Sequence, residues 1–176
     1  MFFRVRDLEV RKIFFDVSFA PGEIEFEPGL QQVGPLHTEG VAELLSNTLG
    51  EIRVRGTAQV RMKSVCDRCL EPLEFPLDRS FDLFYRPVDT APTSEEAAID
   101  EGESEIGFYD GDGLELKEVL REQILLWLPM QMVCSEDCKG ICPDCGQNRN
   151  QTACGCQPKP VDDRWEALKA LKPRTS

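Results

Sequence analysis

The chain has 176 residues, a net charge of −12 and an isoelectric point near 4.6. That length suits one domain with appendages or two small ones. The acidic balance argues against a main surface that is a nucleic-acid footprint, which is normally basic, while leaving room for a local basic face. No apolar run approaches the roughly 18 residues of a spanning helix. The start, MFFRVRDLEV, is interrupted by charge every few residues, unlike a signal peptide. These features predict a cytoplasmic protein, a setting in which cysteine clusters bind metal or do redox work.

Residues 2–26 contain two or three short strand candidates. Phe14, Phe15, Val17 and Phe19 form an aromatic-rich run closed by a turn at Pro21-Gly22. Its apolar residues do not alternate cleanly, so both faces are expected to be covered and the aromatics to be core. Residues 30–37 read as a connection carrying the single histidine, His37, as a surface residue. A short strand is expected over 41–45.

The clearest period follows. Over 51–63, Ile52, Val54, Gly56, Ala58, Val60 and Met62 alternate with Arg53, Arg55, Thr57, Gln59, Arg61 and Lys63, which predicts a half-buried strand with a cationic outer face. A second alternating stretch covers 74–86, with Phe75, Leu77, Phe81, Leu83 and Tyr85 on one side. Pro76 cannot donate to a ladder, so that strand should lie at an edge or be bulged there. The simplest arrangement of the two is a hairpin whose tip is Cys66-Asp67-Arg68-Cys69.

Residues 88–105 hold seven acidic and no basic side chains. They cannot bury enough surface to offset their ordering entropy, and read as a flexible acidic loop. A short strand over 106–109 and a turn at 111–113 precede an amphipathic helix over 115–128, with Leu116, Val119, Leu120, Ile124 and Trp127 on one face and Pro129 as its stop. A short terminal helix is expected over 164–171, with Trp165, Leu168 and Leu171 on one face.

Six of the eight cysteines lie within 134–156. Cys142, Cys145, Cys154 and Cys156 supply four thiolates within fifteen residues, enough for one closed tetrahedral site in a stretch too polar to fold without an ion. Cys134 and Cys138 with Cys66 and Cys69 would complete a second. The other division pairs Cys134 and Cys138 with Cys142 and Cys145, and Cys66 and Cys69 with Cys154 and Cys156. Either way the expectation is two structural zinc ions. No catalytic His, Ser or carboxylate arrangement is visible, and no phosphate loop. A thiol-redox protein or zinc redox sensor is the chemical alternative, and a generic zinc adaptor a second.

The stretches CDRCLEP (66–72), LLWLP (125–129), CSEDCKGICPDCGQNRN (134–150) and DDRWEALKAL (162–171) resemble the YceD family of large ribosomal RNA subunit accumulation proteins. Arg149 and Trp165 stand where that family often has leucine. The resemblance implies a cytoplasmic, non-enzymatic factor in ribosome biogenesis, supporting accumulation or maturation of large-subunit ribosomal RNA. Genes of the family commonly neighbour one for a zinc-containing large-subunit ribosomal protein. The expected partner is a large-subunit precursor or ribosomal protein, with possible ribosomal RNA contact; no membrane or small-molecule substrate is expected. Arg53, Arg55, Arg61, Lys63 and Arg68 are the candidate RNA or partner contacts, unless Glu74, Asp78 and Asp82 neutralise them across the hairpin.

Together these readings predict an α+β protein. It comprises an antiparallel β domain with a C-x-x-C hairpin tip over 1–87, an acidic loop over 88–105, and a strand and helix packing on the sheet over 106–132. A zinc-stapled cysteine module over 133–157 and a helix and tail over 158–176 complete it.

Overall fold

The computed structural model describes residues 1–90 and 106–156. Most of the acidic loop and the whole terminal helix expected from the sequence lie outside the described residues.

The order of elements is β1 (Phe2–Arg4), α1 (Val5–Val10), β2 (Ile13–Phe19), β3 (Gln31–Gln32), β4 (Leu36–Leu44), β5 (Ile52–Val65), β6 (Pro72–Pro87), β7 (Ile106–Tyr109), β8 (Gly113–Glu115) and α2 (Leu116–Trp127). The main sheet runs β2-β4-β5-β6-β7, with β3 adding to β5; β1 and β8 form a separate two-stranded ribbon. Pairing is antiparallel except for β7, which runs parallel to β6. The protein is α+β, a mainly antiparallel sheet with α2 packed on its inner face.

The long hairpin β5–β6 is the frame. Ile52, Val54, Ala58, Val60 and Met62 are buried on the inner face of β5, facing Tyr85, Leu83, Arg79, Leu77 and Phe75 of β6 in register. Between them Gly56 faces Gly40 of β4. A Cβ on Gly40 would fall 2.7 Å from the Phe15 ring and 2.3 Å from the Arg55 carbonyl. The Phe15 ring and the Arg55 carbonyl thus take the space a side chain at Gly40 would need, and the Glu39 carbonyl, 2.3 Å from a Cβ at Gly56, takes that of its partner.

On α2, Leu116, Val119, Leu120, Ile124 and Trp127 are buried, the face expected from their spacing. Trp127 packs against Phe81 of β6 with ring centroids 6.4 Å apart. The outer side of the helix is strapped to the β2–β3 connection by Lys117–Glu23 at 3.3 Å and Arg121–Glu27 at 2.7 Å. Leu128 is extended and precedes Pro129, and the helix stops there.

Several expectations need correction. The run at β2 does not cover both faces: Phe15 and Phe19 are buried, but Phe14 is 78% exposed. The strand expected over 41–45 begins at Leu36, so His37 lies in β4 rather than in a connection. Its polar stretch hid it, since Thr38 faces inward fully buried and donates its hydroxyl to the Thr57 carbonyl at 2.8 Å. Helix α1 is one and a half turns with one buried residue, Leu8, too short to show a period. Of the two arrangements expected around Pro76, the edge is the one found: it sits in an unbroken register opposite Arg61, without a bulge. That part of β6 has no second neighbour among the described residues, since β7 reaches only Phe84 to Pro87. No helix among the described residues is long and apolar enough to cross a membrane.

Candidate metal centres

The tip of the β5–β6 hairpin is a tight turn. The Cys66 N–H donates to the Glu71 carbonyl and the Leu70 N–H to the Cys66 carbonyl, both at 2.8 Å. Leu70 adopts a left-handed conformation, φ 62°. The same turn recurs 76 positions on. The Cys142 N–H donates to the Gln147 carbonyl and the Gly146 N–H to the Cys142 carbonyl, both at 2.8 Å, with Gly146 at φ 73°. Glycine takes that backbone conformation freely, whereas leucine there costs about 1–2 kcal/mol and persists only where its surroundings fix it. In both turns backbone N–H groups are aimed at the sulfurs.

After α2 the chain returns to the hairpin tip. The Asp67 N–H donates to the Met132 carbonyl and the Met132 N–H to an Asp67 carboxylate oxygen, each at 2.7 Å. Arg68 donates to the carbonyls of Glu136 at 3.0 Å and Cys138 at 3.3 Å. Gly140 is left-handed, and a Cβ there would fall 2.8 Å from the Arg68 carbonyl, so only glycine allows the approach. This return places Cys134 and Cys138 beside Cys66 and Cys69.

The eight cysteines therefore divide into Cys66, Cys69, Cys134 and Cys138, and Cys142, Cys145, Cys154 and Cys156, the sulfurs of each quartet lying within 4.8 Å of one another. This is the first of the two divisions that the spacing left open. In the first quartet the Cys66 and Cys138 sulfurs are 3.8 Å apart and those of Cys69 and Cys134 3.7 Å. A tetrahedral zinc with sulfurs at about 2.3 Å has an edge of roughly 3.8 Å. A bonded pair would be at about 2.0 Å. The geometry and the all-thiol donor set fit a closed structural metal site. Four protein ligands leave no open position of the kind a catalytic zinc keeps for water.

Electrostatics point the same way. Burial pushes the Cys66 thiol up, but backbone N–H groups of Cys69, Cys134 and Arg68 outweigh it and bring it down to about 6. The N–H groups of Cys145 and Asp144 bring Cys142 to about 6. The Glu71 N–H favours the Cys69 thiolate, yet burial and its neighbouring thiols push it up to about 12. Crowding by Cys145 and Cys142 takes Cys156 to about 12. Each quartet thus has a readily ionised member and one that the others hold neutral. A divalent cation removes that conflict, because it favours all four thiolates at once. The quartets differ in burial: Cys66, Cys69 and Cys138 are buried in the first, only Cys142 in the second.

The candidate contact residues separate. Arg53 forms a two-pronged pair with Asp82 at 2.8 and 2.6 Å and lies 5.4 Å from the Phe84 ring centre. Asp82 is held below the usual carboxylate range chiefly by that bond. Arg68 is engaged at the hairpin tip. Arg55, Arg61 and Lys63 form no ion pair among the described residues, although Asp82 and Glu74 stand opposite Arg55 and Lys63 in register. His37 meets Ser18 at 3.2 Å and belongs to neither quartet. Glu71, Asn148, Asn150 and Gln151, which the sequence does not single out, join the quartets' surroundings. Asn148, Asn150 and Gln151 stand in the polar run QNRNQ between Cys145 and Cys154, but nothing local in the sequence marks their partners, Glu71 and Cys138.

A small α+β sheet protein with two four-cysteine clusters that could hold a metal, one at a hairpin tip and one in the knuckle that follows, is the class these features define. The chain belongs to the family described as Large ribosomal RNA subunit accumulation protein YceD, which matches residues 54–172, a span that holds all eight cysteines. It is 28% identical over 118 residues to an uncharacterized protein of Mycobacterium tuberculosis H37Rv, covering 66% of this chain and 54% of that protein. It is 28% identical over 136 residues to the large ribosomal RNA subunit accumulation protein YCED homolog 1, chloroplastic, of Zea mays, covering 64% and 46%. It is 22% identical over 174 residues to the uncharacterized protein YlbN of Bacillus subtilis, covering 96% and 93%. The chain thus spans about half the length of the mycobacterial and maize relatives. No solved structure matches.

Proposed function

We propose that the protein supports accumulation or maturation of large-subunit ribosomal RNA, as a non-enzymatic cytoplasmic factor that contacts a protein or RNA of the large-subunit precursor. The family match across both cysteine quartets carries this reading. In it the quartets hold two zinc ions, which lock the hairpin tip, the exit of α2 and the knuckle into one rigid surface. Zinc would supply charge neutralisation and tetrahedral cross-linking there, with no chemistry on a substrate. Of the basic residues on the outer face, Arg55, Arg61 and Lys63 remain available for phosphate or acidic side chains.

Depletion of the protein in its own cells is the test. The ratio of large- to small-subunit ribosomal RNA is expected to fall and to recover when the wild-type chain is resupplied. A ratio unchanged by depletion would remove the basis for the reading.

A further inference from the structure

The loop of the second quartet reaches into the first. Asn150 lies between Cys145 and Cys154, yet its Nδ2 donates to the Cys138 sulfur at 3.3 Å, while its Oδ1 accepts from the Lys139 N–H at 2.8 Å. Asn148 Nδ2 and Gln151 Nε2 both donate to one carboxylate oxygen of Glu71, at 3.1 and 2.8 Å. Glu71 is the residue whose carbonyl closes the first C-x-x-C turn. The backbone adds two links: the Arg149 N–H to the Gly140 carbonyl, and the Ile141 N–H to the Arg68 carbonyl, each at 2.9 Å.

Beyond these hydrogen bonds, the loop is held by its own quartet. Residues 146–152 read GQNRNQT and contain no apolar side chain to bury. Ordering them costs about 1–2 kcal/mol of backbone entropy per residue. Ligation of Cys142, Cys145, Cys154 and Cys156 fixes both ends of the loop and lowers that cost. With its ends so fixed, the loop holds Asn150 against Cys138, where the amide N–H donates to the sulfur.

We infer that Asn150 is a positioning residue for the Cys138 thiolate, and that the 148–151 segment makes metal retention at the hairpin-tip centre depend on loading of the knuckle centre. The inference rests on the metal reading proposed above. Outer partners of metal ligands typically contribute tenfold to a hundredfold in affinity. Linkage requires the two centres to strengthen each other's affinity by the same factor.

The test is release of zinc from the full chain to the chelator 4-(2-pyridylazo)resorcinol. A Cys154→Ser/Cys156→Ser chain retains only the hairpin-tip centre, and a Cys66→Ser chain only the knuckle centre, so each release phase can be assigned. Asn150→Ala is expected to keep two zinc ions but to weaken the hairpin-tip centre by about tenfold to a hundredfold. Glu71→Ala should shift it in the same direction from the other side of the contact. Gln147→Ala should release zinc as the wild type does, since that residue is exposed and among the described residues takes part only through its carbonyl, which alanine keeps. Adding Asn150→Ala to the Cys154→Ser/Cys156→Ser chain should change nothing further. The coupling is overturned if Asn150→Ala behaves like Gln147→Ala, or if the Cys154→Ser/Cys156→Ser chain grips its one zinc as tightly as the wild type. A wild-type chain that takes up no zinc overturns the metal reading and this inference with it.

Discussion

Cys66→Ser is expected to reduce bound zinc from two equivalents per chain to one and to lower the melting temperature by more than Trp127→Ala does. Cys66 is fully buried, and its sulfur is 3.8 Å from that of Cys138. The serine hydroxyl is not a thiolate and cannot complete a tetrahedral sulfur site. Structural zinc sites carry apparent binding free energies on the order of 10–16 kcal/mol, much of which is folding free energy. The loss is not that whole amount, because the Asp67–Met132 hydrogen bonds still hold the hairpin tip to the chain that leaves α2. Elemental analysis of the purified variant reads the stoichiometry directly. Two equivalents of zinc in Cys66→Ser would mean that the hairpin tip is not part of a metal centre.

Trp127→Ala is expected to cost about 3–5 kcal/mol of stability while leaving two zinc ions bound. The indole closes the end of α2 against Phe81 and is 9% exposed. Its removal leaves a cavity at the junction of helix and sheet that backbone shifts fill only in part. Trp127 belongs to the main core and to neither quartet, so the two substitutions separate core from centres: one loses metal, the other loses stability with metal retained. Denaturant midpoints at fixed zinc concentration check this. A Trp127→Ala chain within about 1 kcal/mol of wild type would show that the core does not depend on this contact.

The parts of the fold legible in the sequence were those with a long, uninterrupted period. Strand β5 alternates over its whole inner face, and α2 repeats its apolar residues at helical spacing, so both could be read with their buried sides. The parts that were not legible had their pattern broken by polar or glycine residues serving a local purpose. Thr38 is buried and satisfied by a backbone carbonyl, and Gly40 makes room for Phe15, so the first half of β4 read as a connection. Phe14 carries the opposite lesson: an exposed aromatic in a strand looks like core until the register is known.

For the centres, cysteine spacing alone gave the donor set but left two divisions open. The choice depends on where the chain goes after Pro129, which is a matter of tertiary path: Met132 docks on Asp67, and Cys134 and Cys138 follow it to the hairpin tip. The repeated turn was hidden because its left-handed position is glycine in one copy, Gly146, and leucine in the other, Leu70. The polar bridge from Asn150 to Cys138 has no local sequence signature at all, since its two ends belong to different quartets. The basic outer face was legible as a pattern, but its electrostatics were not. Arg53 is neutralised across the hairpin by Asp82, and Arg68 is committed to backbone carbonyls.

The central proposal, that the two quartets when metal-loaded present a surface to the large ribosomal subunit, is tested most directly by retrieving the tagged zinc-loaded chain from a lysate of its own cells, with and without RNase. The account predicts enrichment of large-subunit precursor over small-subunit material, diminished in the Cys66→Ser chain. Enrichment that survives RNase identifies a protein contact, and enrichment lost with RNase identifies contact through RNA. Recovery of large-subunit material at the level of an unrelated acidic protein, in both arms, would contradict it.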